Sequence, residues 1–197
     1  DKAIFGYGYT GSVSSLSNLV NNSGVVATDT TGVGTARSDL AATNYGTDKA
    51  IFGYGLTSSS VSMTNLVSNS GVVSSDVTGV GTARGYLSAT GYGGDKAIFG
   101  YGHNGAAVSM SNLVNNLGVI ATDVSGVGTA RWNLAAASYG GDKAIFGYGD
   151  SSGGVLSMTN LVSNTGVVAA DVTGVGTARH SPAASGYGGD KGIFGYG

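Results

Sequence analysis

The octapeptide DKAIFGYG begins at Asp1, Asp48, Asp95 and Asp142 and returns as DKGIFGYG at Asp190, giving three spacings of 47 residues and one of 48. A period of this length constrains the fold more than any other feature. Each copy forms one small supersecondary unit, and neighbouring copies must stack to cover each other's apolar faces. The extra residue falls in GDSSGGVLSM, a stretch that differs between copies, where a surface loop tolerates a change of length. The chain therefore reads as one repeat domain with copies at 1–47, 48–94, 95–141 and 142–189 and a partial, closing or overhanging copy at 190–197.

Within a copy, short apolar runs alternate with Gly-rich turns. KAIFGYG is expected to place Ala3, Phe5 and Tyr7 on one side and Ile4 on the other. SLSNLV and GVVATD follow across the turn NNSG, and LAATNYG closes the unit. Helix is disfavoured by 37 glycines, by the Val, Thr and Ser content and by the lack of any long 3.6-residue stripe. A hydrophobic content of 41% nevertheless marks a packed chain and not a flexible linker. The expected fold class is all-β: a β-propeller of four-stranded blades in about four repeats, with an open β solenoid as the alternative architecture.

The order TAR, LAAT, YG, DKAIFGYG, LSNLV, GVVATD resembles a kelch-type blade along the whole chain. The copies carry Gly-Tyr-Gly where kelch repeats carry Gly-Gly, and they have no Trp on the last strand. The near-identical copies are also similar to tandem repeats of bacteriophage tail-fibre-like proteins. The resemblance implies strands b (AIFGYG), c (LSNLV), d (GVVATD) and then a (LAAT), with a innermost. Ala41, Ala42, Ala89, Ala135, Ala136, Ala183 and Ala184 suit a crowded axis. On this lettering the last a strand, from about Pro182 to Tyr187, is expected to complete the first blade, leaving DKGIFGYG surplus.

Charge is sparse: nine Lys plus Arg against eleven Asp, with no Glu. Nothing in this balance suggests a nucleic-acid footprint. No apolar run approaches the ~20 residues of a membrane helix, and the first residues lack the order of a signal peptide. Every Lys and Arg sits at a repeat position, as does every Asp except Asp39 and Asp150. Such recurrence points to charges that tie copies together. Pairings of the Asp29 to Arg37 kind are expected, repeated as Asp76 to Arg84, Asp123 to Arg131 and Asp171 to Arg179. The functional alternative is a ring of Arg and Lys holding an anion.

Catalytic constellations are thin. The absence of Cys excludes disulfides, thiolate metal sites and cysteine nucleophiles. The two histidines, His103 and His180, lie in different copies, which leaves zinc short of ligands. A Ser-His-Asp triad from Ser181, His180 and Asp150 exists only on paper. The Gly-x-Gly of GVGTAR lacks the Lys-Ser/Thr and helix of a phosphate loop. Neither an enzyme, a metal nor a cofactor is expected.

Where the copies disagree is more informative. After GYG they read Tyr9-Thr10, Leu56-Thr57, His103-Asn104 and Asp150-Ser151; after TAR they read Ser38-Asp39, Gly85-Tyr86, Trp132-Asn133 and His180-Ser181. These are the b–c and d–a connections, which emerge at the same end of an up-and-down blade. The expected ligand-binding set is therefore Tyr9, Asp39, Leu56, Tyr86, His103, Asn104, Trp132, Asn133, Asp150 and His180. Rings beside short polar groups suit a cell-surface glycan or protein receptor. The expectation is a noncatalytic recognition module in an extracellular or virion-associated fibre, with self-assembly or continuation of a longer array. The competing expectation is a structural spacer or designed repeat scaffold without a ligand.

Overall fold

A strand reading Lys-Ala-Ile-Phe-Gly has successive apolar side chains on opposite faces, so it needs cover on both. In the computed structural model, which describes residues 2–197, that cover comes from stacking small antiparallel sheets face to face. The protein is all-β, with no helix among the described residues.

The first sheet pairs β1 (Ala3–Tyr9) with β2 (Val13–Val20). The second orders β3 (Ala41–Tyr45), β4 (Lys49–Gly53) and β5 (Thr64–Val67) side by side. The third repeats this with β6 (Ser88–Tyr92), β7 (Lys96–Gly100) and β8 (Ser111–Val114). The fourth orders β9 (Ala135–Tyr139), β10 (Lys143–Gly147) and β13 (Thr159–Val162) side by side, and the intervening β11 (Asp150–Ser151) and β12 (Gly154–Val155) form a separate two-stranded hairpin. The last sheet is β14 (Ala183–Tyr187) with β15 (Lys191–Gly195).

Three expectations are corrected. The fourth strand of each unit is an edge segment held by isolated bridges, such as Val67 to Val73 and Thr64 to Val77. Asn65 explains the irregularity: its side-chain amide donates to the Ser74 carbonyl and the Asp76 carboxylate, bonds that replace a regular ladder. Second, β14 pairs with β15, so the last a strand does not complete the first sheet, and no sheet closes. Third, Tyr7 does not share a side with Phe5. The register shifts between Gly6 and Gly8, and Tyr7 takes a φ of 64°, which turns its ring to the Ile4 side.

The consequence of that turn is visible inside the stack. Ala97 and Phe99 pack against the second sheet, whereas Ile98 and Tyr101 pack against the fourth. From the second sheet onward, each Phe ring lies on a glycine of the preceding sheet. A Cβ on Gly53 would sit 2.8 Å from Cζ of Phe99, and one on Gly100 would sit 2.6 Å from Cζ of Phe146. Only glycine permits that approach. Neighbouring sheets touch most along their first strands, β3 on β6, β6 on β9 and β9 on β14, where the small Ala and Ser side chains let backbones come close. Backbone bonds also cross between sheets at the a–b turns, from the Gly46 N–H to the Asp95 carbonyl and from Gly93 to Asp142, each 2.7 Å.

Candidate functional site

The two variable connections do meet at one end of the stack. Ser38 bridges Leu56, Gly85 bridges His103 and Trp132 bridges Asp150, each by antiparallel backbone pairing within one sheet. The second variable residue after TAR then links the sheets to each other. The Tyr86 N–H donates to the Asp39 carbonyl (2.9 Å), Asn133 to Tyr86 (3.0 Å) and Ser181 to Asn133 (2.7 Å). All four residues are left-handed, with φ between 50° and 55°. Asp and Asn tolerate that conformation through local side-chain bonding, but a bulky Tyr86 there is an outlier.

Side chains pair across the sheet junctions. Leu56 lies over Gly85, where a Cβ would come within 2.8 Å of its Cγ. At the next junction the His103 and Trp132 rings meet edge to face at 5.3 Å. At the third, His180 Nδ1 is 4.0 Å from Asp150 Oδ2, which also accepts a 3.2 Å hydrogen bond from Asn133 Nδ2. Large on small, ring on ring and base on acid are three different solutions to one contact, so part of the variation is matched packing. The side chains thus form two groups, His103 with Trp132 and Asn133 with Asp150 and His180, joined by the backbone bridge from Trp132 to Asp150. Tyr86 adjoins them through the backbone ladder. Tyr9 stands apart, exposed on the first sheet; Asn104 is exposed at a loop tip, and the exposed Asp39 carboxylate takes the Ser38 hydroxyl at 2.7 Å. The second group is no triad. Ser181 Oγ lies 3.2 Å from the same Nδ1 that faces Asp150, whereas a relay needs the serine and the carboxylate on opposite ring nitrogens. Among the described residues no three His, Cys, Asp or Glu side chains gather to hold a metal.

The repeated charges lie deeper. Arg37, Arg84 and Arg131 are fully buried, each guanidinium stacked 4.2–4.4 Å over Tyr7, Tyr54 or Tyr101 of the preceding sheet. Arg84 donates from Nε to the Tyr101 carbonyl, from Nη1 to the Thr82 carbonyl and from Nη2 to Asn112 Oδ1. The expected Asp partner is displaced by one copy. Asp76 accepts from the Thr35 N–H and hydroxyl and from Asn65, beside Arg37, and not from Arg84. Asp123 does the same with Thr82, and Asp171 with Thr129, 3.8 Å from Arg131. Among the described residues, Asp29 takes only Asn18. The displacement follows from the chain path: TAR belongs to one copy in sequence but packs on the c and d segments of the next. Among the described residues, Arg179, at the open end, reaches only the Thr177 carbonyl and the Tyr148 ring.

The electrostatics follow from this burial. Partial burial acts to raise the Asp76 carboxyl, but Thr35, Asn65 and Arg37 outweigh it and hold it below its ordinary value; Asp123 and Asp171 behave alike. Burial pushes Tyr54 and Tyr101 up to about 12, against the opposing charges of Arg84 and Arg131.

No protein-family model and no curated protein matches this chain.

Reading copies one at a time missed Asn65, Asn112 and Asn160, which bind the Arg of the preceding connection and the Asp of their own unit. The available signal was the invariant Asn inside an otherwise apolar strand, since a buried amide requires partners.

Proposed function

We propose that this chain is a section of a kelch-like β-propeller acting as a noncatalytic binding module, which recognises a cell-surface glycan or protein receptor within an extracellular or virion fibre. The observation that carries the reading is the gathering of Tyr86, His103, Trp132, Asn133, Asp150 and His180 at one end of the stack. Rigid rings beside short polar groups offer contact area and adaptable hydrogen bonds at low entropic cost. Crowding along the first strands, with the d segments exposed, supports blades fanning from an axis over the even stacking of a β solenoid. Several copies on one fibre would multiply weak contacts through effective concentration.

The second reading is a ligand-free spacer, and the matched pairs Leu56–Gly85, His103–Trp132 and Asp150–His180 favour it. One experiment separates the two. The chain is screened on glycan arrays and cell surfaces beside a control in which every copy carries the post-GYG and post-TAR residues of the second copy. The control keeps the Leu-on-Gly match at each junction, so its fold is retained. Binding lost in the control supports recognition at the variable end; absence of binding by either protein supports the spacer.

A further inference from the structure

We infer that the two end faces of the stack are complementary and that a second copy of this chain docks head to tail, seating its Phe5 on Gly195. Inside the stack the same contact is made four times: Phe52 on Gly6, Phe99 on Gly53, Phe146 on Gly100 and Phe194 on Gly147. Two halves of it are left over. Phe5 is 63% exposed with no glycine before it, and nothing lies within 4 Å of a Cβ built on Gly195. The segments that carry these halves, AIFGYG at Ala3 and GIFGYG at Gly192, differ from each other at one residue and supply the interior contacts elsewhere.

The rest of the C-terminal face is equally unfinished. Ile193 is 55% exposed and Tyr196 93%, whereas Ile51, Ile98, Tyr54 and Tyr101 at the same repeat positions are fully buried by the following sheet. Interior sheets also meet through the second strand of one on the first strand of the sheet before it, β7 on β3, β10 on β6 and β15 on β9. The strands that remain for such a contact are β1 of one copy and β14 of another. The interface is therefore a continuation of one the fold already makes, with its Phe-on-Gly contact at four junctions and its strand-on-strand contact at three. It is heterologous, so it closes into a ring where the rotation allows and extends into a filament where it does not.

The test uses the 197-residue chain and its solution mass across a concentration series, by sedimentation or light scattering. The expected result is concentration-dependent growth to at least twice the 19.3 kDa of one chain. Phe5→Ser removes the ring and Gly195→Val fills the hollow. Both positions lie on open faces and Gly195 is not left-handed, so circular dichroism and melting of each dilute variant should match the parent. Each variant alone should stay at the mass of one chain. Their equimolar mixture should form 1:1 dimers, since one keeps its Gly195 face and the other its Phe5. A parent chain that is monomeric throughout, or association that neither substitution reduces, overturns the inference.

Discussion

Phe99→Ala removes a fully buried ring that stands 5.2 Å from the Tyr54 ring, centroid to centroid, and against the bare Gly53 backbone. The hollow cannot be refilled locally, because the opposing residue has no side chain. The loss therefore combines the transfer free energy of the ring with an uncollapsed cavity, about 3–5 kcal/mol. Phe5→Ala deletes the same side chain at the same repeat position, but on an open face, and costs about 0.5 kcal/mol or less. Urea unfolding followed by circular dichroism, at concentrations low enough to keep the ends apart, measures both. With a slope of about 2 kcal/mol per M, a loss of about 4 kcal/mol lowers the midpoint by about 2 M. Because stability in an array is a sum of units and nearest-neighbour interfaces, the Phe99 variant should also broaden or split the transition. Equal midpoints for the two variants would refute the argument that Phe-on-Gly contacts hold the sheets together.

Arg84→Lys should cost about 2–3 kcal/mol, because an ammonium cannot reach the Tyr101 carbonyl, the Thr82 carbonyl and Asn112 together while stacking on Tyr54. Arg179→Lys should cost about 1 kcal/mol or less by the same denaturation assay, since its main contact is the Tyr148 ring. Asp76, Asp123 and Asp171 have depressed folded pKa values, so the stability they contribute is present above the unfolded carboxylate value and is lost as pH falls through the folded ones. Midpoints measured below about pH 4 should fall, and less steeply in Asp123→Asn. Tyr54 and Tyr101 are raised to about 12, so their contribution is complete below the unfolded value of 10.0 and disappears as pH rises towards 12. The part of the phenolate absorbance that is lost in Tyr54→Phe and Tyr101→Phe should appear together with unfolding in that window. At the variable end, Gly85→Trp should destabilise by about 1–3 kcal/mol through collision with Leu56. Adding Leu56→His, which transplants the next junction's pair, should recover a coupling of at least about 0.5 kcal/mol in a double-mutant cycle.

The legible part of this protein was its period. The five DK-x-IFGYG segments prescribe short strands with apolar side chains on both faces, and such strands demand neighbours on both faces. The all-β class was readable from that alone, because strand alternation is a local property; the meeting of the b–c and d–a connections at one end followed from the blade lettering that the kelch-type resemblance implies. Partner identity was not legible. Asp76 belongs with Arg37 rather than Arg84, since the chain crosses to the next sheet between d and a, and the crossing appears only when units stack. The Tyr of GYG faces the Ile side because a left-handed residue turns it, and the Arg of the following connection closes over its ring. The variable residues proved to be partly each other's partners, as Leu56 over Gly85 and His103 against Trp132 show. Sequence by itself determined what each unit is, because turns and alternation act within a few residues; tertiary structure alone decided which unit each side chain serves, because burial and hydrogen bonding are satisfied by the nearest group in space.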